Sequence, residues 1–391
     1  MSRPVDVAPA GRVDLPDAGL QRGWEPAALV VLTLLLLAFG LVTLYSASSV
    51  LALRQGLPDT FFVVRQAAGA VVGLAVLGVL AFVPYRVWGW LAWPLLAVAV
   101  ALVVALILPG NEALAPEVNG ARRWLVLGGV RFQPSEVAKI ALIVWTAAVA
   151  VRKQGRFRSL SRGLGPFFLA WGALAIPVAL EPDLSTACLL VILGCLVVFC
   201  AGARLGHFVF LALLTVPLLL LQLEVDFRAD RIAAFLDPAS DPAGAGFQVR
   251  QSLVALGSGG LTGVGFGEGR QKFGFLPEPH NDFIFAMVGE EWGFLGVGLL
   301  VATYLALILV GFRVAGRAPD LFGELLAIGF TSLVALHATL HMSVALGLVP
   351  PTGLALPLVS YGRSNLLMTL AGLGILVSVA RAAPGGKGAR A

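Results

Sequence analysis

The sequence is poor in charged residues and in cysteine. Only 13% of its 391 residues are Asp, Glu, Lys or Arg, whereas 58% are hydrophobic, and the mean hydropathy is +0.91. A soluble globular domain is about one-quarter charged, so this composition excludes that class. The three cysteines, Cys188, Cys195 and Cys200, share one apolar run and lack Cys-x-x-Cys spacing, which argues against disulfides and zinc binding. The chain is predicted to be an integral membrane protein.

Long apolar runs divide the chain into about ten predicted transmembrane helices, since a helix needs about 20 residues to cross the hydrocarbon core of a bilayer. The runs are continuous rather than alternating, which excludes a transmembrane β-barrel. The predicted spans cover residues 27–48, 62–83, 87–108, 134–151, 165–180, 184–201, 206–222, 283–312, 321–346 and 365–381. The predicted fold is therefore an all-α integral membrane bundle.

Lys and Arg residues collect in alternate loops, and this asymmetry predicts the orientation of the bundle. Short cytoplasmic loops retain positive charge, and the loop after the fourth span contains Arg152, Lys153, Arg156, Arg158 and Arg162. Both termini are then cytoplasmic. The net charge of +5 reflects the same bias at the inner membrane surface, so it does not indicate a nucleic-acid partner.

The predicted organisation is one polytopic transmembrane domain over residues 25–382. Residues 1–24 are polar and proline-rich and predict a disordered cytoplasmic tail, and residues 383–391 predict a second cytoplasmic tail. Residues 223–282 form a long extracytoplasmic loop between the seventh and eighth predicted spans. Loops of this length in a compact bundle are usually functional or disordered. Within it, residues 247–256 predict a short interfacial helix.

Three ionisable residues, Glu278, His280 and Asp282, lie just before the eighth predicted span. Apolar surroundings penalise the ionised form of a carboxylate, which raises its pKa towards the range of a general base. Asp282 is therefore the candidate catalytic residue. His280 is a candidate to orient it, with an exposed loop histidine as the alternative. Glu290 and Glu291, deeper in the same predicted helix, are predicted to make structural hydrogen bonds.

The segment from Ser258 to Gly269 is rich in glycine. Glycine permits positive φ and a close approach of the backbone to a neighbouring group, so this segment is a candidate cradle for a phosphate. It matches neither the P-loop pattern nor Gly-x-Gly-x-x-Gly. A flexible loop is the alternative interpretation.

Several motifs, in order along the chain, resemble those of one known family. They are Arg122-Arg123-Trp124, Gln133-Pro134-Ser135-Glu136, Glu181-Pro182-Asp183, Gln251-Ser252-Leu253, Leu276 to Phe283, Pro350 to Gly353 and Pro357 to Gly362. On this series the sequence is identified as a member of the SEDS family, the FtsW, RodA and SpoVE polytopic enzymes of bacterial cell-wall synthesis. The residues from Gln251 to Leu253 and from Arg270 to Lys272 resemble FtsW or SpoVE more than RodA, which favours a role in cell division.

The sequence departs from the family pattern at several positions. Asn281 replaces the usual Thr before the acid, Ser185 replaces Gly, and Arg363 replaces the second Gly of Ser-Tyr-Gly-Gly-Ser. His341 and Ser343 stand where Asn and Gly are usual. None of these changes removes the carboxylate of Asp282. They bear on the substrate contacts expected near the ninth and tenth spans.

The resemblance implies a peptidoglycan glycosyltransferase that polymerises lipid II at the outer face of the bacterial cytoplasmic membrane. Asp282 aligns with the acid that the family requires. As general base it would take the proton of the acceptor GlcNAc 4-hydroxyl, which attacks C1 of the donor MurNAc as the lipid diphosphate departs. The family also implies a class B penicillin-binding protein as a partner through transmembrane helices, other divisome or elongasome proteins, and a divalent cation, Mg²⁺ or Mn²⁺.

The departing diphosphate requires positive charge near the outer surface. The predicted substrate-binding residues are Arg122, Arg123, Glu136, Lys139, Lys272, Glu278 and Ser258. Glu136 and Lys139 are three residues apart on one helix face, so an internal ion pair is the alternative for them. The alternative for Arg122 and Arg123 is a solvated pair at the head-group level. His337 and His341 have metal-ligand spacing, but no third ligand is evident, so a polar lining is the interpretation that we favour.

Two other functional classes remain open from the sequence, a lipid II flippase or other transporter and a scaffold that recruits a partner. Transporters commonly contain inverted repeats and helices broken near the middle of the bilayer. No clear internal repeat is visible in the sequence, and the polar motifs collect on the predicted outer side. This distribution favours chemistry at the outer surface over translocation.

Overall fold

In a computed structural model the chain is a bundle of α-helices with one short β-hairpin. The structure describes residues 23–108, 114–117, 121–128, 130–157, 163–209, 211–213, 231–232, 235–237 and 244–383. Most of the predicted seventh span and of residues 223–243, together with nearly all of both predicted tails, lies outside the described residues.

The elements follow the apolar runs of the sequence. The helices are α1 (Glu25–Arg54), α2 (Phe61–Phe82), α3 (Val87–Ile107), α4 (Pro134–Lys153), α5 (Gly165–Leu180), α6 (Leu184–Cys200), α7 (Ala245–Ser258), α8 (Ile284–Ala315), α9 (Leu321–Ala345) and α10 (Arg363–Ala382). An antiparallel hairpin of β1 (Leu125–Leu127) and β2 (Val130–Phe132) precedes α4. Short 3₁₀ turns occupy Gln154–Arg156 and Gln271–Phe273.

The prediction of an all-α membrane bundle is confirmed. In the described part of the chain, seven helices are long and apolar enough to cross a membrane: α1, α2, α3, α4, α8, α9 and α10. The apolar helices α5 and α6 are shorter. Together these helices coincide with nine of the predicted spans, and α7 covers the predicted interfacial helix. The chain is a multi-pass membrane protein.

Helices α4, α9 and α10 form the centre of the bundle. Nearly every side chain of α4 is buried, as expected for a helix that is enclosed on all sides. Trp145 of α4 and Phe330 of α9 are among the largest fully buried side chains. Helices α1, α2, α3 and α8 surround this centre and expose apolar side chains such as Val71 and Leu299. In a membrane these outward faces contact lipid.

Small residues bring α2 close to α10. A methyl group added at Gly73 would lie 2.4 Å from Cδ1 of Leu370, and one added at Gly374 would lie 2.8 Å from the carbonyl oxygen of Leu77. Small residues that let two backbones approach are a common means of helix packing in membranes. The middle of α10 thereby packs closely against α2.

The reversals of the chain place the helix ends at two opposite faces of the bundle. At one face Glu25 forms ion pairs with Arg313 and Arg317 at 3.0 and 2.5 Å, and Asp320 pairs with Arg86 at 3.2 Å. We name this the basic face. Helices α4, α6, α8 and α10 begin at the other face, which we name the cavity face because the candidate site lies there.

Helix α8 is broken at Gly293, where φ is 65° and ψ is −163°. A break leaves backbone N–H and C=O groups without intrahelical partners, and in a membrane these groups must be satisfied by protein. The carbonyl oxygen of Glu290 accepts from the N–H of Val264 at 3.0 Å, and the N–H of Phe294 donates to the carbonyl oxygen of Gly260 at 2.9 Å. The loop before α8 therefore completes the hydrogen bonding of the broken helix.

The segment that makes these bonds, residues 259–265, is named the glycine strap. It packs closely against α8 at Gly263, where φ is +84° and an added Cβ would lie 2.1 Å from the carbonyl oxygen of Glu291. Only glycine fits this position without a shift of backbone. The glycine-rich sequence thus has a packing function in the structure.

Candidate functional site

A cavity of about 1050 Å³ lies among the helix ends at the cavity face. Its wall comes from the hairpin before α4, the turn between α5 and α6, the segment before α8 and the loop before α10. The carboxylates in the wall are those of Glu136, Asp183, Glu278 and Asp282, and the arginines are Arg65, Arg123, Arg131, Arg231 and Arg363. A concave site with this many guanidinium groups suits a large anionic ligand.

Asp282 lines this cavity one residue before Phe283, the N-cap residue of α8. Its Oδ1 atom is buried and has no hydrogen-bond partner in the described part of the chain. Burial raises the pKa of Asp282 to about 6, the negative charge of Glu278 contributes to the rise, and Arg231 and Arg123 oppose it. A carboxylate with this pKa is ionised at neutral pH and is more basic than an ordinary aspartate.

The loop between α9 and α10 holds the segment that carries Asp282. The N–H of Tyr361 donates to the carbonyl oxygen of His280 at 3.0 Å. The hydroxyl of Ser360 donates to the carbonyl oxygen of Asn281 at 2.8 Å. Two successive residues before the carboxylate are therefore fixed, and a catalytic group requires such a fixed position.

The same loop passes beside the carboxylate. A Cβ added at Gly353 would lie 4.0 Å from Oδ2 of Asp282. Two residues earlier, the carbonyl oxygen of Pro351 accepts a hydrogen bond from Nη1 of Arg231 at 3.3 Å. This bond places the guanidinium of Arg231 in the part of the cavity that contains the carboxylate.

Arg123 is held by the turn between α5 and α6. Its Nε donates to the carbonyl oxygen of Glu181 at 3.1 Å, and its Nη2 donates to that of Pro182. Asp183 caps α6 by accepting from the N–H of Thr186 at 3.2 Å. Burial raises the pKa of Glu181 to about 8, Asp183 contributes to the rise and Arg123 opposes it. The guanidinium of Arg123 is thus oriented by backbone carbonyls beside a carboxyl group that is largely protonated at neutral pH.

His280 is buried, so its interpretation as an exposed loop histidine is wrong. Its ring centroid lies 4.8 Å from that of Phe62 and 5.7 Å from that of Tyr361, and Nε2 lies 3.6 Å from a carboxylate oxygen of Glu278. Burial lowers the pKa of His280 to about 4, so the ring is neutral at physiological pH. Its proposed effect on the orientation of Asp282 stays a prediction.

The buried ion pair between Glu136 and Lys139 is confirmed. Lys139 Nζ lies 2.8 Å from Oε1 of Glu136 and 3.1 Å from Nε2 of His337. The amide of Asn365 donates to the same carboxylate at 3.3 Å. Glu136 reaches the wall of the cavity, whereas Lys139 is outside the set of residues that line it. Substrate binding by this pair stays a prediction.

Lys272 is buried away from the cavity wall. Its Nζ donates to Oε1 of Glu291 and Oγ of Ser46, each at 2.9 Å, and to the carbonyl oxygen of Gly267 at 2.6 Å. All three hydrogens of the ammonium group are therefore used within the protein. The structure assigns Lys272 structural contacts, and its binding of substrate stays a prediction.

Other predicted residues have contacts outside the cavity. Ser258 Oγ donates to the carbonyl oxygen of Ala255 at 2.9 Å, and Arg122 lies 3.7 Å from the carboxylate of Glu117. Neither Ser258 nor Arg122 is in the cavity wall. The carboxylate of Glu290 accepts from the N–H of Arg270 at 2.7 Å, which confirms the structural hydrogen bonding expected for it.

The described residues do not form a metal centre. In this part of the chain, no group of three or more His, Cys, Asp or Glu side chains is arranged to hold a metal ion. His337 Nδ1 lies 3.5 Å from the carbonyl oxygen of Ala355, and His341 Nδ1 lies 2.8 Å from that of Leu354. His337 also lines the cavity. These contacts agree with the polar-lining interpretation of the two histidines.

Sequence reasoning missed several charged residues of the cavity wall: Arg65, Arg131, Asp183, Arg231 and Arg363. Arg65 carried a usable signal, because a lone arginine inside an apolar span is by default a functional candidate. Arg363 was noted only as a departure from the family pattern. Nothing in the local sequence around Arg231 distinguishes it from other charges of the long loop.

Comparison with known proteins supports the family resemblance that the motifs indicate. The model of a family described as "Cell cycle protein", which comprises FtsW, RodA and SpoVE, matches residues 27–384. The chain belongs to the FtsW/RodA/SpoVE family. The resemblance read from the motifs is thereby confirmed.

Two curated relatives show where the chain falls in the FtsW/RodA/SpoVE family. It is 40% identical over 352 residues to a probable peptidoglycan glycosyltransferase FtsW of Geobacter metallireducens, covering 90% of this chain and 93% of the relative. It is also 40% identical over 357 residues to stage V sporulation protein E of Bacillus subtilis, covering 90% of this chain and 96% of the relative. The similarity to FtsW and SpoVE proteins is therefore nearly full length.

Solved structures share the fold. One, described as "Structural coordination of polymerization and crosslinking by a peptidoglycan synthase complex", contains a chain that is 31% identical with a TM-score of 0.75. The rod shape determining protein RodA of Thermus thermophilus is 30% identical with a TM-score of 0.67. In both comparisons the match covers 93% of this chain and 98% of the other. The bundle is the fold of this family.

Proposed function

We propose that this protein is a peptidoglycan glycosyltransferase that polymerises lipid II during cell division, with Asp282 as its general base. The activity is the one named for FtsW relatives, including one that is 40% identical over 90% of this chain. One observation carries the choice of base. Asp282 has a buried carboxylate oxygen without a hydrogen-bond partner in the described chain, and it faces a cavity lined by arginines.

The reaction forms one glycosidic bond and breaks one bond to phosphate. The 4-hydroxyl oxygen of the acceptor GlcNAc attacks C1 of the donor MurNAc from the face opposite the diphosphate. The C1–O bond breaks, its electron pair leaves with the diphosphate, and the α-linkage becomes β. Asp282 accepts the hydroxyl proton and later releases it to solvent. Base catalysis of this kind contributes about 10² to 10⁴ in rate.

Arg123 and Arg231 stabilise the leaving diphosphate. The planar forks of guanidinium groups bind phosphate oxygens in pairs, and such bonds are strongest in a site that excludes water. Both arginines line the cavity, and both lower the pKa of Asp282. The same two charges therefore keep the base ionised and neutralise the charge that develops during the reaction.

The cavity face is the outer side of the membrane in this proposal, and both termini are cytoplasmic. Arginines that end or precede helices at the basic face, namely Arg86, Arg313 and Arg317, support this orientation because cytoplasmic loops retain positive charge. Residues 25–382 then form the polytopic domain, with residues 223–282 as the large extracytoplasmic loop. Lipid II would place its diphosphate and sugars in the cavity and its polyprenyl tail among the helices.

The proposed partner is a class B penicillin-binding protein that crosslinks the new strands through contacts between transmembrane helices. This part of the proposal extends from a structural relative that belongs to a peptidoglycan synthase complex. Other divisome or elongasome proteins are further proposed partners. A bound Mg²⁺ or Mn²⁺ stays a prediction of the family resemblance, since no set of three ligands is present in the described chain. The arginines of the cavity supply the positive charge in the steps above.

The test is polymerisation of lipid II by purified protein in proteoliposomes, with Asp282→Asn beside the wild type. The matched control is Glu268→Gln, which changes an exposed carboxylate outside the cavity wall. We expect Asp282→Asn to lose at least about 10²-fold in rate and the control to retain it. Strand synthesis at the normal rate by Asp282→Asn would overturn the assignment of the base.

The same assay separates the alternative functions. A lipid II flippase would move lipid II between leaflets without producing glycan, and a scaffold would tolerate the loss of the carboxylate. A wild-type protein that makes no glycan, while transporting labelled lipid II across the bilayer, would overturn the glycosyltransferase proposal.

A further inference from the structure

The arginines of the cavity fall into two groups according to their neighbours. Arg123 and Arg231 are held by the α5–α6 turn and by the loop beside Asp282. Arg65 lies on α2 and Arg363 begins α10. The first group is bound to segments beside Asp282, and the second group stands on the part of the cavity wall that α2 and α10 form.

Arg65 and Arg363 share one surface. A Cβ added at Gly69 would lie 3.4 Å from Cγ of Arg363, so the stem of Arg363 runs along α2 at Gly69. Arg65 is four residues before Gly69, which places both on the same face of the helix one turn apart. The Arg65 guanidinium lies 4.0 Å from the ring centroid of Phe61, which fixes it beside this surface. Both arginines thus belong to the part of the cavity wall that α2 and α10 form.

Among the residues that the structure describes, these two charges lack a counter-ion. Neither Arg65 nor Arg363 has a carboxylate within 4.0 Å there or a hydrogen bond to a protein acceptor. Like charges on one surface repel each other when nothing offsets them. A concave surface that retains them attracts an anion.

The proposed reaction requires two diphosphates in the cavity at once. In the donor, the diphosphate is bonded directly to the carbon under attack. In the acceptor, the reacting 4-hydroxyl is separated from its diphosphate by two sugar rings. One anion site must therefore lie at the base, and another must lie some distance from it.

We propose that Arg65 and Arg363 bind the diphosphate of the acceptor lipid, and that Arg123 and Arg231 bind the diphosphate of the donor. This inference rests on the glycosyltransferase function proposed above. Arg363 adds a second cation to the acceptor site. Arg363 is a specificity-determining residue that tightens the binding of the acceptor without taking part in the chemistry.

The experiment uses two lipid II analogues with separate roles. A donor that lacks the 4-hydroxyl of its GlcNAc donates but does not accept. An acceptor in which CH₂ replaces the bridging oxygen at C1 accepts but does not donate, because the C–C bond does not break. Together they give a single tetrasaccharide product. The KM of each analogue is then measured separately with the full-length protein in proteoliposomes.

We expect Arg363→Ala to raise the KM of the acceptor about 10- to 100-fold, the range for loss of charge-assisted hydrogen bonds, and to leave the KM of the donor unchanged. Arg65→Ala should do the same, and Arg231→Ala should raise the KM of the donor instead. The matched control is Arg250→Ala, which removes an exposed arginine of α7 outside the cavity wall and should change neither.

A second acceptor analogue without the stem peptide distinguishes the two anions that lipid II carries. An Arg363→Ala effect that persists with this analogue supports the diphosphate, and an effect that disappears shows that a peptide carboxylate binds there and overturns the proposal. An unchanged KM for the acceptor, or a raised KM for the donor, overturns it as well and leaves the glycosyltransferase function intact. A wild-type protein that couples nothing overturns that function, and this inference with it.

Discussion

The hydroxyl of Ser360 donates to the carbonyl oxygen of Asn281 at 2.8 Å and accepts from the N–H of Leu356 at 2.9 Å. One side chain therefore joins the loop before α10 to the residue that precedes Asp282. Ser360 and Asn281 are 79 positions apart in the chain. The position of the carboxylate thus depends on a contact between distant residues.

Ser360→Ala should lower kcat about tenfold and leave the KM of lipid II nearly unchanged, because a lost buried hydrogen bond costs roughly 1–2 kcal/mol and here displaces the base. The matched control is Ser378→Ala, whose hydroxyl donates to the carbonyl oxygen of Val83 at the basic face. Steady-state polymerisation and thermal unfolding are measured for both. A similar loss of kcat in the two variants would show that the effect is one of general stability.

The rate should depend on pH through Asp282, because only its ionised form accepts a proton. With the pKa of Asp282 at about 6, kcat/KM should fall as the pH drops through 6. Glu278→Gln removes a negative charge that raises this pKa, so the acidic limb should move to lower pH. Arg231→Ala removes a positive charge that lowers it, so the limb should move to higher pH. Identical limbs in all three proteins would contradict the assignment.

Lys272→Met should destabilise the fold by about 3–5 kcal/mol, because it leaves the fully buried carboxylate of Glu291 without its partner. The double variant Lys272→Met/Glu291→Gln removes both charges and should recover much of this loss. Thermal unfolding in detergent measures the stability, and the polymerisation assay measures the KM of lipid II. A KM that stays raised in the stable double variant would show that Lys272 binds substrate, as the sequence predicted.

Gly263→Ala should destabilise the protein by more than Gly267→Ala. Both glycines have a φ near +84°, but a Cβ at Gly263 would lie 2.1 Å from the carbonyl oxygen of Glu291, whereas a Cβ at Gly267 meets nothing within 4 Å. The strain of positive φ alone costs about 1 kcal/mol or somewhat more, and the clash adds to it at Gly263. Unfolding curves of the two variants measure the difference in stability. An equal loss of stability in both would show that the strap can shift to accommodate the added methyl group.

The sequence predicts the helices of this protein well, because the length of an apolar run is a local property that the bilayer selects. It also indicates Asp282 as a candidate, because burial beside an apolar run raises the pKa of a carboxylate towards the range of a general base. The pair of Glu136 and Lys139 follows from helical spacing. In each case the residues that decide the structure are neighbours in the chain.

Features that depend on distant contacts could not be predicted. The sequence predicts Lys272 as a cation for the diphosphate, and its contact with a buried carboxylate 19 residues later has no local signal. The glycines of the strap suggest a phosphate cradle in the sequence. The helix break at Gly293, whose backbone groups the strap binds, leaves no pattern in the apolar run. The significance of Arg363 becomes visible only when α2 and α10 lie side by side.

The break at Gly293 has a mechanical consequence. The strap bonds both sides of the break: Val264 and Gly265 donate to the carbonyl oxygens of Glu290 and Glu291, and Phe294 and Leu295 donate to those of Gly260 and Leu261. The strap therefore ties the first turns of α8, which begin just after Asp282, to the remainder of the helix. A displacement of the strap would move both halves of α8 together.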